Sequence, residues 1–456
     1  MNNTKDMTAG SPARHIFFFA IPLMLGNVFQ QLYTMVDTII VGQGVGVKAL
    51  AALGAADWLN WLVLGLVTGF TQGFCIRISQ LFGAEDYAGM RRAAALSCVL
   101  SAVLAVALTA VSLLTLRPVL EFLNTDPNII DNTTAYLTVI FAGIAVITVY
   151  NLFAAFLRAM GDSRTPLIAM VIASLINIGL DLLFVMVFHW GVVGAAVATV
   201  IAQVFSCLFC LFAVLRLPIM QLKRADFAWD RRLAGKLVGL GAPIAFQNFI
   251  ISAGGLAVQY VINGFGFLFV AGFTATNKLY GLLEVAATSF GFSITTYTGQ
   301  NLGARKYERI RKGMRSAIWM AIGTAALIGL CMILFGRPIL SLFVSGEPDE
   351  IEQVLNIASI YLTVMSSMLI ILYLLYVYRS ALQGMGDTLV PMLSGIAELA
   401  LRVTVAMFLP RLVGRQGVYF CEIAAWIAAD LVLIPTYYWR IHKLLPRTHG
   451  KKTRPA

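Results

Sequence analysis

The sequence predicts an all-α polytopic membrane protein, with twelve transmembrane helices in two homologous six-helix bundles. Three observations predict it. The 456 residues are 59% hydrophobic and only 12% charged, where a soluble domain carries about 25% charged residues. Apolar runs of about 20 residues or more, each long enough to cross a hydrocarbon core of about 30 Å, recur along the chain. The chain also repeats itself at a nearly constant offset. Short alternating strands that would signal a β-barrel are absent.

The spans are expected at about 15–43, 49–79, 93–116, 133–157, 165–189, 191–215, 237–264, 268–299, 314–336, 353–381, 387–410 and 416–440. The first follows the short polar stretch MNNTKDMTAGSPARH. It is too long for a cleaved signal peptide and lacks a small-residue cleavage site. Spans 2 and 8 run into QLFGAEDY (80–87) and QNLGARKY (300–307). Spans 5 and 11 begin at MGDSRTP (160–166) and MGDTLVP (385–391). Span 6 ends before the basic stretch RADFAWDRRLAGK (224–236), and span 12 before a basic tail.

Charge sets the orientation. With both termini and the connections after spans 2, 4, 6, 8 and 10 on one side, the opposite side receives only Lys48, Arg117, Arg337, Arg411 and Arg415. Lys278 and Arg402 stay within spans, and the rest of the 33 Lys and Arg fall on the first side. That side is cytoplasmic by the positive-inside rule. The net charge of +11 therefore reflects topology and contact with anionic lipid, and nucleic acid is excluded as a partner.

The repeat has three markers in one order. QLFGAEDY matches QNLGARKY at an offset of 220, MGDSRTP matches MGDTLVP at 225, and Pro22 and Asn27 match Pro243 and Asn248 at 221. The halves are expected at 1–215 and 237–440, joined by a cytoplasmic linker at 216–236 and followed by a tail at 441–456. Both begin on the cytoplasmic side, so they are parallel repeats about an axis along the membrane normal. Halves of this kind rock against each other around a central cavity, which favours a transporter over a receptor or an enzyme. No catalytic triad, phosphate loop or zinc spacing stands out. Cys207 and Cys210 lie within a spanning segment with no His nearby and read as small buried apolar residues.

Seven acids fall within spans: Asp37, Asp57, Asp181, Glu284, Glu398, Glu422 and Asp430. Each costs about 2.5–3.5 kcal/mol near a helix centre. Depth groups some of them. Asp37 lies about six residues below the outer end of span 1, and Asp181 about eight below that of span 5. Thr199 lies about eight residues into span 6. At about 1.5 Å per residue, all three sit roughly 9–12 Å below the outer surface. Asn177 shares a helix face with Asp181, and Ala195 with Thr199. Two carboxylates, an amide, a hydroxyl and a free carbonyl near Ala195 make a cluster of hard oxygens. Such oxygens suit Na⁺ or a shared proton, and they call for no other metal. The alternative is a hydrogen-bond cluster that only holds the bundle together.

The stretches PLMLGNVFQQLYTMVDTIIVGQGVGVKALAALG, ISQLFGAED, FLRAMGDSRTP and RSALQGMGDTLVP resemble the multidrug and toxic compound extrusion (MATE) family over the whole chain. The resemblance implies a V-shaped exporter of organic, often cationic, compounds in exchange for H⁺ or Na⁺, with no cofactor. It also implies a cation site at Asp37, Asn177, Asp181 and Thr199, and a helix 1 bend at Pro22. The second-half cation site of some members needs acids on helices 7 and 10. Span 7 here has Gln247, Asn248, Gln259 and Asn263 but no acid, and span 10 has tyrosines in place of one.

Gln30, Tyr33, Trp61, Tyr150 and Tyr280 are candidate lining groups for the cavity, where aromatic faces suit planar lipophilic cations. Core packing is an equal reading for each. Glu398 and Arg402, at i and i+4, are expected to form a structural ion pair. Glu284 meets either a cationic substrate or Arg402, and Glu422 and Asp430 have no assigned role. Short loops and the lack of appended domains point to a prokaryotic inner membrane, and a monomer is expected. Two alternatives to multidrug export remain: a flippase of a lipid-linked precursor, and an exporter of one endogenous metabolite. A flippase would need a strongly basic cavity for pyrophosphate, and within the spans only Lys278 and Arg402 are basic. The topology predicts that a C-terminal green fluorescent protein fusion fluoresces while a C-terminal alkaline phosphatase fusion is inactive. The converse pattern would overturn it.

Overall fold

The computed structural model describes residues 4–123, 125–341 and 348–445. Its helices are α1 (Pro12–Gly44), α2 (Val47–Gly83), α3 (Tyr87–Phe122), α4 (Ile130–Ala142), α5 (Ile144–Ala159), α6 (Arg164–Asp181) and α7 (Gly191–Leu215). The second half has α8 (Arg231–Asn263), α9 (Phe267–Gly303), α10 (Tyr307–Ser341), α11 (Pro348–Ser367), α12 (Leu369–Gly384), α13 (Leu389–Val413) and α14 (Cys421–Leu444). Among the described residues, nine helices are long and apolar enough to cross a membrane, and two bent pairs raise the number to eleven. The remaining span is α9, 37 residues long. It carries more polar groups than the others and buries almost all of residues 289–301 against protein, so it does not need an apolar surface.

Two expected spans are broken. α4 and α5 meet at 47° around Gly143, and α11 and α12 at 50° around Met368. The helices are also longer than the apolar runs, because their ends continue into the polar interfaces. α8 takes in the last residues of the expected linker, whose earlier part holds two 3-10 turns, Pro218–Met220 and Arg224–Phe227. α14 runs to Leu444, so the first residues of the expected tail are helical, and 446–456 lie outside the described residues.

The backbone repeats as the sequence does. Positive φ occurs at Gly46 and Gly266, at Glu85 and Arg305, and at Gly161 and Gly386. The MGD motif is structural in the first half: the Asp162 carboxylate accepts from the Thr165 amide at 3.0 Å and from its hydroxyl at 2.6 Å, starting α6. Its equivalent, Asp387, accepts from Arg440 on α14 at 2.9 Å. Asn27 and Asn248 each bond across to the other half: Asn27 donates to Ser289 Oγ at 3.3 Å, and Asn248 to the Gly65 carbonyl at 2.9 Å.

The halves meet tightly toward the cytoplasm. Gly69 and Gly73 of α2 face Ala245 and Gly241 of α8. A Cβ on Gly73 would lie 2.3 Å from the Gly241 Cα, and one on Gly69 2.4 Å from the Ala245 Cα. Spaced four residues apart, small residues let two helix backbones approach in this way. Closer to the cytoplasm, α2 and α9 touch through Gly83 against the Gln300 carbonyl and Gly303 against the Gln80 carbonyl. Residues 5–10 close this end. The Lys5 amide donates to the Met160 carbonyl at 3.0 Å, the Met7 amide to Gln300 at 2.9 Å, and Gln300 in turn to the Ala159 carbonyl at 2.9 Å. Lys306 and Arg309 donate to the Thr8 and Ala9 carbonyls. Toward the other surface α2 opens away: nothing lies within 4 Å of a Cβ added to Gly54, and Trp61 is 62% exposed. The cleft therefore faces outward. A Gly73→Leu substitution should force α2 from α8, at a cost of about 1–3 kcal/mol, and lower the Tm of purified protein. An unchanged Tm would contradict this packing.

Candidate functional site

The expected cluster assembles. Asp37 on α1 and Asp181 at the end of α6 are both buried, at 8% and 0% exposure, and their carboxyl groups lie side by side within hydrogen-bonding reach. Asn177 is buried one turn before Asp181, and its Nδ2 donates to Thr199 Oγ1 on α7 at 3.5 Å. Among the described residues, no donor reaches Asp37 Oδ1, either oxygen of Asp181, or Asn177 Oδ1. Buried polar atoms in proteins are almost always paired. Four unpaired oxygens gathered in one place therefore form an acceptor-only pocket, which a proton or a small hard cation completes.

Directly after Asp181 the chain leaves α-helical register for a π-helical stretch, Leu182–Val187. Such stretches are frequent at functional sites. The carbonyl expected to be free near Ala195 is not. Ala195 is fully buried inside the regular helix α7 and packs with Ile40, Val41 and Val185, so its carbonyl is engaged in the helix. α1 continues through Pro22 without a break. Proline there removes one amide donor from the helix ladder.

Tyr33 stands close enough to feel both carboxylates, and so does Tyr136 of α4. Tyr136 carries no sequence signal beyond being an aromatic in an apolar run, and sequence reasoning missed it. Asp57 on α2 is near enough to repel Asp37.

The other lining candidates separate. Trp61 and Gln30 are exposed, but Gln31 is the glutamine that faces α9, its side chain 3.6 Å from where a Cβ on Gly281 would lie. Tyr150 is buried in the first-half core with Cys210 and Phe156, which takes it out of the cavity. Tyr280 stacks on Trp426 at 6.2 Å and 11° inside the second half.

The expected Glu398–Arg402 pair does not form. Glu398 accepts from Arg379 of α12, and Arg402 donates to Glu422 of α14 at 2.8 Å. The i, i+4 spacing places both groups on one face, but each reaches another helix. Arg379 is buried at 7% exposure. It lies near the end of its apolar run, where sequence alone groups it with the cytoplasmic bases. Glu284 meets neither a free cavity nor Arg402 directly, since the Tyr376 hydroxyl donates to it. Asp430 is buried near Arg379 and Glu398, with Oδ1 unpaired.

Comparison with known proteins agrees with this architecture. The MatE family model matches residues 22–183 and again 243–408. The probable multidrug resistance protein YpnP of Bacillus subtilis (strain 168) is 28% identical over 347 residues, covering 76% of this chain and 77% of its own. The FAD transporter of Shewanella oneidensis is 23% identical over 363 residues, covering 77% and 78%. A multidrug resistance MATE family transporter of the MOP superfamily, solved in an outward-facing conformation, matches with a TM-score of 0.90 at 25% identity, covering 97% of this chain and 99% of that one. The chain is thus an integral, multi-pass inner-membrane protein, and it belongs to the MatE family of multidrug and toxic compound extrusion transporters.

Proposed function

We propose that this protein is a secondary active exporter of organic, chiefly lipophilic cationic, compounds, driven by antiport with H⁺ or Na⁺. The acceptor-only pocket of Asp37, Asp181 and Asn177 carries this reading. Two carboxylates side by side repel unless a cation lies between them or one holds a proton. With the cleft open outward, the coupling ion enters there and draws α1 and α6 together at the π-helical stretch. That movement passes along α1, where Pro22 leaves the ladder compliant, and disfavours bound substrate. Return to an inward-open state frees the ion to the cytoplasm. The ion drives this cycle only because it binds the two states unequally. The protein works as a monomer, and each half moves as a unit.

A second reading is export of one endogenous metabolite, favoured by similarity to the FAD transporter. Efflux of ethidium and of FAD from proteoliposomes, under separately imposed H⁺ and Na⁺ gradients, separates the two. Ethidium movement under one gradient alone identifies the coupling ion and supports multidrug export. FAD movement without ethidium movement would replace it.

Asp37→Asn should abolish gradient-driven efflux, to below about a tenth of wild type. It should leave the Tm equal or higher, because the new amide donates a hydrogen bond to Asp181. A lower Tm with efflux retained would mean that the cluster is only structural.

A further inference from the structure

Of the described acids and bases away from the ends of the spans, Asp57 and Lys278 alone are exposed. The others are buried or half-buried, and most face a partner: Asp37 faces Asp181, Arg379 pairs with Glu398, Arg402 with Glu422, and Glu284 takes the Tyr376 hydroxyl. Among the described residues neither Asp57 nor Lys278 makes an ion pair within 4.0 Å. Yet Lys278 is the positive group that acts on the Asp57 carboxylate. The two stand across the cleft from each other, in electrostatic reach but out of contact.

Their positions follow from the repeat. At the offset of 220 that relates α2 to α9, Asp57 falls on Asn277, and Lys278 is the next residue along. Asp57 is ten residues into α2, and Lys278 eleven into α9, so both lie about 15–17 Å along their helices from the outer ends. α2 and α9 converge at Gly83 and Gly303 and hold these residues on the two walls of the outward cleft. One wall offers an acid and the other, at the same level, a base.

We propose that Asp57 and Lys278 are specificity residues that select zwitterionic cargo, with a cationic group against Asp57 and a carboxylate against Lys278. This rests on the exporter reading and moves its cargo from simple cations to organic compounds that carry both charges. A zwitterion that spans the cleft satisfies both walls. A simple cation gains at Asp57 but meets the charge of Lys278, which in a wet cleft still acts over a Debye length of about 8 Å. A simple anion meets the mirror-image conflict. Selection by an unfavourable contact as well as a favourable one is a common route to specificity. Asp57 also repels Asp37, so occupation of this pair by cargo reaches the cation pocket directly.

The test uses two dyes with one chromophore: rhodamine 110, a zwitterion with a free carboxylate, and rhodamine 123, its cationic methyl ester. Their Kd values for purified full-length protein are read by fluorescence polarisation. Binding alone is the readout, so this inference and the exporter reading fail separately. Lys278→Gln should shift the Kd ratio toward the ester by at least about threefold, the scale of one exposed ion pair. Asp57→Asn should shift it toward the free acid by a similar factor. Opposite shifts support the proposal, since a structural or gating role would weaken both dyes together. Parallel losses with an unchanged ratio, or wild-type protein that binds neither dye, would overturn it.

Discussion

Charge in a medium of low dielectric is tolerated only when it is matched, and much of this structure follows from that constraint. In the second half the acids and bases inside the membrane find each other across helices: Arg379 with Glu398, Arg402 with Glu422. These pairs tie α12, α13 and α14 together, and breaking a buried pair costs more than the pair contributes by forming. The first half has no base at the corresponding depth. Asp37 and Asp181 are left facing each other, and among the described residues no donor reaches Asp37 Oδ1 or either oxygen of Asp181. The second half pairs two of its buried acids with buried bases, and the first half pairs neither Asp37 nor Asp181 with one.

The same asymmetry runs through an otherwise faithful duplication. Backbone turns, asparagine bridges and the MGD caps recur at equivalent positions. The side chains at the level of the cleft do not: Asp57 corresponds to Asn277, with the base Lys278 directly after it. Duplication supplies two walls with a common geometry, and divergence gives the walls different chemistry.

Much of this is legible from residues alone. Loop charges give direction, direction gives depth, and depth places Asp37, Asp181 and Thr199 on three helices at one level. Asn177 follows from helical spacing. Other features are not legible, for identifiable reasons. The breaks at Gly143 and Met368 lie within continuous apolar runs, so hydropathy passes over them. Arg379 escapes because a base near the end of such a run looks like a loop residue until helix packing buries it. Glu398 and Arg402 have a valid local geometry, and only the approach of α12 and α14 shows that each has another partner. Tyr136 carries no charge and no motif, and the π-helical stretch depends on how α6 and α7 pack.

The peptide ahead of α1 has one more consequence. Residues 5–10 are hydrogen-bonded to the first half through Met160, and to the second through Gln300, Lys306 and Arg309. Met7 itself is fully buried at this junction. Any opening toward the cytoplasm has to peel this peptide from one half, so these hydrogen bonds favour the arrangement in which that end is closed. The same peptide leads into the helix that carries Asp37, so the closed cytoplasmic junction and the buried carboxylates sit on one continuous rod.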